Sequence, residues 1–570
     1  MWLDCPRRVS QKILGGLPIT RKPSTILCLN HFDGRCHPFS NTAIRYSSSR
    51  SSTESAFRDR LQELRNACPN PYPRLPTQKG SLSCAEFRSR YEHLIPNQVI
   101  QEDIITLHGR IRSHRLAGSK LVFLDILQNG HKVQVMCNER LLDGVPMDQF
   151  KKWSRVLRRG DTLLVIGRPH RTSRGELTLE AMELPELLSP CLHDVPVDTK
   201  QHEHSPYERH IQFLAGQDAG DIIRNRSAIV QYLRQFLLDR FFLEVNTPIL
   251  AACAGGAIAR PFYTSASEFP EKQLSLRIAP ELWLKRLVVG GFDRVFEIGP
   301  SFRNEGLDKT HNPEFTTCEF YHTYASLEDL ISMTEDLLSG LAAHIHKLKE
   351  DGKCTLAPTE VNFSAPFHRI DFITGIEEAT GRSLPNLTAE DAVPKTLQLF
   401  EDLSLLPPEL PNLPRLMDKL CSIYLEPQCQ RPTFIINPPE CISPLSKSFT
   451  HPTRGQKVAA RCELFIQGRE FVNAYEEENS PFEQRRKFQE QLLYSKAINE
   501  EGEIDESYLQ ALEWGLPPTG GWGCGIDRLC MLFTGTQRIG DVLPFGNLRA
   551  VVRRHDGMDI MGLERQSTLQ

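Results

Sequence analysis

The sequence has no long apolar run. Hydrophobic residues make up 40% of its 570 residues, but no stretch approaches the roughly 18 apolar residues that a membrane-spanning helix needs. Its 16 cysteines include no Cys-X-X-Cys pair, and Cys421/Cys429 and Cys524/Cys530 have no histidine partners at zinc-finger spacing. We therefore predict no membrane helix and no structural zinc, and we interpret the cysteines as reduced interior thiols of a non-oxidising compartment.

Two nucleotide-binding signatures are also missing. The glycine-rich segment Gly520-Gly-Trp-Gly-Cys-Gly-Ile-Asp-Arg528 is not followed by Gly-Lys-Ser/Thr, and no βαβ unit surrounds it. These absences exclude a P-loop and a Rossmann dinucleotide site. An apolar run beginning at Leu529 predicts a helix after the glycines.

Acidic residues are scarce near the start of the chain. Residues 1–50 contain eight lysines and arginines but only Asp4 and Asp33, and a serine-rich run follows. This composition predicts an organellar transit peptide over 1–50, and Arg45-Tyr46-Ser47-Ser48 resembles a mitochondrial processing site. A basic tail that binds nucleic acid is the alternative. Without these residues the formal charge falls from −4 to about −10, so an RNA partner would need a local basic face.

The length allows two or three domains. Residues 51–100 are interpreted as a linker with a helix, because Phe57, Leu61 and Leu64 have helical spacing before Pro69. Residues 101–195 form a predicted β domain, and residues 215–555 a large α/β unit whose segment 385–430 is a proline- and leucine-rich helical insertion. The predicted class is α+β.

The β domain has five short alternating segments with turn residues between them, within 104–186. This pattern predicts a Greek-key barrel of the OB type. Such barrels bind single-stranded nucleic acid by stacking bases on aromatic rings and holding the backbone with basic groups. Phe123 is the candidate platform, and the basic groups are Arg110, Arg112, His114, Arg115 and Lys120. By itself, the pattern fits a plain β domain with a buried phenylalanine equally well.

The stretch from Arg294 to Tyr321 predicts a hairpin with a charged loop. It opens as a strand, breaks at Gly299-Pro300 and resumes as a strand around 315–321. Its loop contains Arg303, Glu305, Lys309, His311 and Asn312. An arginine two residues from a glutamate suits phosphoryl or nucleotidyl chemistry, in which positioning and charge neutralisation supply most of the catalysis. A merely solvated loop is the alternative.

The segment 463–477 alternates apolar and polar residues like one strand. Glu463 and Glu470 are an odd number of residues apart, so a bend or bulge near Gly468 is needed to bring them together. Carboxylates clustered beside phosphates suit Mg²⁺, although a solvated acidic strand would look the same. Asn473, Tyr475 and Glu477 share one parity, and a carboxylate there would suit a cationic substrate, since a buried unpaired ammonium is costly.

Three of these segments resemble the signature motifs of class II aminoacyl-tRNA synthetases, most closely those of lysyl-tRNA synthetases. The predicted helix 222–242, with the strand Leu243-Glu-Val245 and Thr247-Pro248, resembles motif 1. The pattern F-R-N-E-G, H-N-P-E-F-T and C-E-F-Y within 302–321 resembles motif 2, and 520–528 resembles motif 3. Ile442-Ser-Pro-Leu-Ser-Lys447 resembles a segment typical of the lysyl enzymes. The resemblance covers about residues 57 to 550, and only the tail 541–549 departs from the usual ending.

The resemblance implies a set of site residues. Arg303 and Arg528 would be catalytic, with Arg528 stacking on adenine opposite Phe315. The implied ATP-binding residues are Arg303, Glu305, His311, Asn312, Phe315, Glu463, Glu470 and Arg528, and Glu463 and Glu470 would hold Mg²⁺. The implied lysine-binding residues are Gly256, Glu281, Glu319, Tyr321, Asn473, Tyr475 and Glu477. Phe123, Gln134 and Glu176 would contact the anticodon.

The resemblance therefore implies an N-terminal OB-type barrel followed by a class II catalytic domain, an antiparallel sheet flanked by helices. It implies a homodimeric lysine–tRNA ligase that uses ATP, L-lysine and tRNA(Lys), and the leader places it in the mitochondrial matrix. Three alternatives remain: an aspartyl- or asparaginyl-type ligase, a catalytically inactive RNA-binding or scaffold protein, and a paralogue that lysylates a protein.

Overall fold

The computed structural model describes residues 48–68, 70–75, 81–142, 144–196, 209–216, 218–252, 259–352, 359–496 and 504–556. The chain divides into two compact units, residues 1–62 and residues 63–570. Helix α1 spans Ser48–Ala67, so the helix predicted over 55–67 is confirmed and begins earlier. Residues 1–47 of the predicted leader lie outside the described residues, as does Gly256, the implied lysine-binding glycine. No helix in the described ranges has the length and apolar character to cross a membrane.

The described part of the second unit begins with a small β-barrel. Its elements are β1 (Ser81–Leu82), α2 (Cys84–Tyr91), β2 (Ile105–Leu116), β3 (Leu121–Gln128), β4 (His131–Asn138), α3 (Met147–Val156), β5 (Thr162–Arg171), β6 (Leu177–Ala181) and β7 (Glu186–Ser189). The strands pair in the order β2-β3-β4-β6-β5, and β5 pairs back to β2, which closes the barrel. Val122, Leu124 and Ile126 alternate along β3 and are fully buried, as expected of side chains that point inward. The predicted OB-type barrel is confirmed.

The remaining elements form the catalytic-domain candidate. The first half comprises α4 (Arg209–Ala215), α5 (Asp218–Leu238), β8 (Leu243–Glu244), β9 (Leu250–Ala251), β10 (Tyr263–Ala266), β11 (Phe269–Leu276), α6 (Glu281–Val289), β12 (Arg294–Phe302), β13 (Glu314–Thr323), α7 (Leu327–Glu350), β14 (His368–Asp371) and α8 (Phe372–Thr380). The second half comprises α9 (Ala392–Asp402), α10 (Leu413–Tyr424), β15 (Thr433–Ile436), β16 (Ser448–Thr450), β17 (Lys457–Ala459), β18 (Arg461–Ile466), β19 (Arg469–Glu476), α11 (Pro481–Lys496), α12 (Glu506–Leu512), β20 (Thr519–Gly525), α13 (Ile526–Thr534), α14 (Ile539–Val542) and α15 (Leu548–Asp556).

A mainly antiparallel sheet organises this region. Within the described residues it has eight strands, in the order β14-β15-β18-β19-β20-β13-β12-β8. Pairs β14–β15 and β12–β8, at its two ends, are parallel. On one face, Phe320, Val472 and Trp522 are buried with apolar residues of α5, α7 and α13. The other face is left for polar side chains, and the predicted α+β class is confirmed.

Two element boundaries differ from the sequence predictions. The helix predicted over 222–242 is α5, which begins at Asp218 and ends at Leu238. Phe241 then adopts a left-handed φ of 63°, which turns the chain so that Leu243 joins the sheet. The predicted break at Gly299-Pro300 is wrong, because β12 continues to Phe302. The Pro300 carbonyl accepts a hydrogen bond from Arg277 Nε at 2.8 Å, so its backbone faces away from β13 and its missing N–H costs the ladder nothing.

The interpretation of 463–477 as a single strand is also wrong. It is a hairpin of β18 and β19 joined by Gln467-Gly468, with φ values of 54° and 69°, as in a two-residue primed turn. Leu464 pairs with Val472, whereas Phe465 pairs with Glu470. Phe471 is therefore an extra residue in β19, and this bulge moves Glu470 to the face that Asn473 and Tyr475 occupy.

The segment 385–430 contains α9 and α10. Asn412 caps α10 by accepting a hydrogen bond from the Arg415 backbone N–H, and Leu416, Met417 and Leu420 pack in a separate apolar cluster with α8 and β15. The segment thus has its own core beside the end of the sheet.

Candidate active site

A cavity of about 540 Å³ opens on the polar face of the eight-stranded sheet. Strand parity sets this face, because Glu319 and Tyr321 on β13 alternate with the core residue Phe320. Residues from four sequence-distant segments meet here. The predicted site residues that line the cavity are Glu281, Arg303, Glu305, His311, Asn312, Phe315, Glu319, Tyr321, Glu463, Glu470, Asn473, Tyr475 and Arg528. Residues 442–446 of the segment typical of lysyl enzymes also line it.

One end of the cavity carries two arginines beside an aromatic ring. The Arg303 guanidinium lies 5.1 Å from the Phe315 ring centroid. Arg528 lies in the first turn of α13, where its Nη2 is 2.8 Å from His311 Nε2 and its Nη1 donates to the Glu470 carbonyl at 3.1 Å. A flat ring and two guanidinium groups at one end suit a nucleotide, whose base stacks and whose phosphates need positive charge.

The loop between β12 and β13 is held by hydrogen bonds. Asp308, which the sequence analysis did not single out, accepts from the backbone N–H groups of Thr310 and His311 at 2.6 and 2.8 Å. Asn312 donates to the Glu314 carbonyl at 2.6 Å and accepts from the Leu548 N–H at 2.9 Å. Asn312 therefore ties this loop to the start of α15, within the tail whose sequence departs from the family.

Two carboxylates approach each other beside the arginines. Glu463 forms an ion pair with Arg461, which the sequence analysis missed, and Glu470 lies 3.9 Å from Arg528. Burial in the cleft and the charge of Glu463 raise the pKa of Glu470 to about 6, although 41% of its side chain is still open to the cavity. Two mutually repelling carboxylates fit a hard divalent cation that takes its remaining ligands from phosphate and water. The described residues hold no cluster of three or more His, Cys, Asp or Glu side chains that could ligate a metal by themselves.

The opposite end of the cavity is acidic and aromatic. Tyr475 donates to Glu281 Oε1 at 2.7 Å, and Tyr321 donates to Glu319 Oε2 at 3.4 Å. Burial, reinforced by the charge of Glu281, raises the pKa of Glu319 to about 8. Asn473 accepts from Arg461 Nε at 2.9 Å. This end suits an ammonium group, which would restore the charge on these carboxylates.

Glu477 lies beneath the cavity lining. Its side chain is fully buried and pairs with Lys285, a lysine of α6 that is also fully buried. Its Oε1 accepts no hydrogen bond from any described residue. A Cβ at position 521 would collide with this oxygen, so the glycine lets the carboxylate reach the cavity floor. The sequence analysis missed Lys285, which lies one helical turn after Glu281 on the same side of α6.

A buried ion pair connects the three motif regions. Arg226 of α5 pairs with Asp527 and donates to Thr316 Oγ1 at 3.0 Å. Asp527 also accepts from the Thr316 N–H at 2.9 Å. Because Thr316 follows Phe315 and Asp527 precedes Arg528, this pair fixes the spacing between the ring and the guanidinium. The sequence analysis did not single out these residues.

The three candidate residues of the barrel lie on its outer face, where Phe123 and Glu176 are partly exposed and Gln134 is buried. Phe123 is half-buried, with the Arg115 guanidinium 6.0 Å from its ring centroid. Gln134 on β4 pairs with Asp125 on β3, and the Gln134 Oε1 accepts a hydrogen bond from Thr178 Oγ1 at 3.0 Å. Glu176 is exposed and lies 3.7 Å from Lys132. Phe123 is on the side of β3 opposite the barrel core, as a stacking platform requires.

The chain matches two protein families. The family described as tRNA synthetases class II (D, K and N) matches residues 201–549, and the family described as OB-fold nucleic acid binding domain matches residues 105–187. The first of these matches covers more than half of the chain.

Individual relatives match over most of their length. A lysine–tRNA ligase, cla4, of Cladosporium cladosporioides is 40% identical over 85% of this chain and 82% of its own. A mitochondrial lysine–tRNA ligase of Schizosaccharomyces pombe is 38% identical, covering 84% and 91% respectively. A probable cytoplasmic lysine–tRNA ligase of Encephalitozoon cuniculi is 38% identical, covering 79% and 89%.

Proposed function

We propose that this chain, which belongs to the family of class II lysine–tRNA ligases, charges tRNA(Lys) with lysine for mitochondrial translation. Lysine is first activated by ATP to lysyl-adenylate, and the lysyl group then passes to a terminal ribose hydroxyl of the tRNA. The family membership supports the ligase activity, and the roles of individual residues and the mitochondrial setting are our proposals.

The observation that carries the choice of substrate is the acidic floor of the cavity. Glu281, Glu319 and Glu477 lie at one end, and Glu477 Oε1 is buried without a hydrogen-bond partner among the described residues. A buried carboxylate oxygen in this state favours a ligand cation. Lysine brings two ammonium groups, of which Glu281 and Glu319 receive the α-ammonium and Glu477 with Tyr321 receives the ε-ammonium.

We propose that ATP binds at the end of the cavity that carries Phe315 and the two arginines. Adenine lies between Phe315 and Arg528, and Arg303 contacts the α-phosphate and the lysine carboxylate. The carboxylate oxygen of lysine attacks the α-phosphorus in line, and diphosphate leaves from the opposite side. Arg303 offsets the charge that develops on the phosphate, and no protein nucleophile is required. Glu305, His311 and Asn312 complete the loop that covers the phosphates.

Glu463 and Glu470 would hold Mg²⁺ on the ATP phosphates. Their mutual repulsion fits this role, and the metal would supply further neutralisation of phosphate charge. If Glu463 binds Mg²⁺, its carboxylate must contact both the metal and Arg461, with which it forms an ion pair.

The barrel is proposed to bind the anticodon. Phe123 would stack on a base, while Gln134 and Glu176, on the same outer face, would contact base edges. The amide of Gln134 has its oxygen engaged by Thr178, which leaves its NH₂ group as the donor to the RNA.

The active form is proposed to be a homodimer. Leu238, Phe241, Leu243 and Phe292 are exposed, with Phe241 at 85%, and they lie around the motif 1 segment. Leu238, Phe241 and Leu243 fall within six residues of sequence, and large exposed apolar side chains so close together suit a protein interface.

Amino-acid-dependent ATP–pyrophosphate exchange on the purified chain tests the proposed activity. We expect exchange with lysine and not with aspartate or asparagine, followed by charging of tRNA(Lys). Exchange driven by aspartate or asparagine, or none with any amino acid, would overturn it. N-terminal sequencing of the native protein tests the location: we expect a start between about Tyr46 and Glu54, whereas a native cytosolic protein that retains Met1 would contradict the leader.

A further inference from the structure

Lys285 occupies an unusual position for a lysine. Its side chain is fully buried on α6, and its Nζ lies 2.6 Å from Glu281 Oε1, one turn earlier on the same helix. The same Nζ forms an ion pair with Glu477 Oε2. One ammonium therefore bridges two of the three carboxylates at the acidic end of the cavity.

Aromatic rings surround this ammonium. The ring centroids of Tyr321, Tyr475 and Tyr508 lie 5.9, 5.7 and 5.9 Å from Lys285 Nζ. Three elements, β13, β19 and α12, thus contribute a ring each, and ring faces attract a cation. The site confines Lys285 tightly, since both carboxylates and the rings of Tyr321 and Tyr508 are themselves buried, and Tyr475 is partly buried.

The ion pair with Lys285 leaves the Glu477 carboxylate with capacity to accept further hydrogen bonds. Neither carboxylate oxygen of Glu477 accepts a hydrogen bond from the described part of the chain, and Oε2 is the oxygen that forms the ion pair with Lys285. Oε1 lies against Gly521 and Tyr321, which line the cavity.

We propose that Lys285 is a positioning residue for substrate selection, which bridges Glu281 and Glu477 and directs Glu477 Oε1 toward the side-chain ammonium of the substrate. This role rests on the proposed function, because it concerns how the same pocket recognises lysine. Lys285 itself does not touch the reacting atoms.

The electrostatics agree with this geometry. Burial disfavours a charge on Lys285, but the attraction of Glu281 and Glu477 outweighs burial and raises its pKa. Burial and the charges of Glu281 and Glu319 raise the pKa of Glu477, and Lys285 opposes that rise. Removing the ammonium would therefore leave Glu477 protonated at a higher pH than in the native protein.

The test measures lysine and ATP KM values by pyrophosphate exchange on Lys285→Met, from about pH 6 to pH 9. We expect the lysine KM to rise at least about tenfold at neutral pH and to fall again as the pH increases, because Glu477 must lose its proton to bind an ammonium. The ATP KM should stay within about twofold at every pH, because the nucleotide lies at the other end of the cavity. 6-Hydroxynorleucine has a hydroxyl in place of the side-chain ammonium of lysine. Lys285→Met should therefore weaken inhibition by this compound less than it weakens lysine binding.

Two further variants serve as controls. Lys395→Met removes an exposed lysine whose partner Asp391 is also one turn earlier, at 2.8 Å, and should behave as wild type. Lys285→Arg keeps the charge, so its lysine KM should be less dependent on pH than that of Lys285→Met. If Lys285→Met does not fold, Lys285→Gln keeps a hydrogen-bond donor without the charge, and the same pH-dependent lysine KM is expected.

The outcomes separate the two proposals. Wild-type exchange with lysine, together with an unchanged lysine KM and pH profile in the variants, overturns the role of Lys285 alone. If the KM for lysine and the KM for ATP rise by the same factor in the variants, without a change in pH profile, the proposed role of Lys285 is also overturned, because this result indicates a structural role. A wild-type protein without lysine-dependent exchange overturns the proposed function and this inference together.

Discussion

Replacing Glu477 by glutamine tests whether Glu477 recognises the side-chain ammonium of lysine. The substitution keeps the shape of the side chain and one hydrogen-bonding oxygen but removes the charge. Glu477 is fully buried, so water cannot compensate, and breaking a buried ion pair costs about 3–5 kcal/mol. At about 1.36 kcal/mol for each tenfold change, the kcat/KM for lysine should fall by about two to four decades.

The ATP parameters should change little in this variant, because Glu477 lies against Gly521, whereas Phe315 and Arg528 lie beyond the pairing of Thr317 with Gly525, farther along β13 and β20. Exchange kinetics with lysine and ATP varied separately provide the measurement. Glu478→Gln is a matched control: the next residue is also a buried glutamate paired with a buried lysine, Lys487, at 2.8 Å. It should lose stability but keep its preference for lysine. A lysine kcat/KM within tenfold of wild type for Glu477→Gln, or an equal loss in ATP affinity, would refute the assignment.

Three other predictions concern separate parts of the molecule. Phe123→Ala should lower tRNA charging by about five- to 150-fold, the loss of about 1–3 kcal/mol of base stacking, while exchange is spared; a parallel loss of both reactions would show that Phe123 is only structural. Asp527→Asn should raise the ATP KM and lower the thermal midpoint, because Arg226 loses its buried partner, and an unchanged ATP KM would contradict the positioning role of this pair. Phe241→Asp should shift light scattering from dimer to monomer, and a wild-type protein that is a fully active monomer would rule out the dimer.

Local sequence was sufficient for the barrel. Each segment has the length of a strand, and turn residues such as Asn129-Gly130 mark where it ends. The loop residues of motif 2 and the glycines of motif 3 could be identified for a similar reason, since each is a short contiguous pattern with a chemical purpose. Most of the residues at the cavity therefore followed from short-range pattern and family resemblance.

Pairing geometry, in contrast, depends on partners far away in the sequence. The continuation of β12 through Pro300 depends on Arg277, and the hairpin between Glu463 and Glu470 depends on how β19 pairs with β18 and β20. The bulge at Phe471 could be required from parity, but its place and the turn at Gln467 were set by that pairing.

The ion pairs are the clearest case of what only the tertiary structure decided. Arg226 and Asp527 are separated by 301 residues, and Lys285 of α6 meets Glu477, which directly follows β19. The sequence by itself determined that carboxylates, rings and arginines suited to lysine and ATP are present. The tertiary structure decided which charge pairs with which, because a buried carboxylate is stabilised by the particular cation that packing brings within reach.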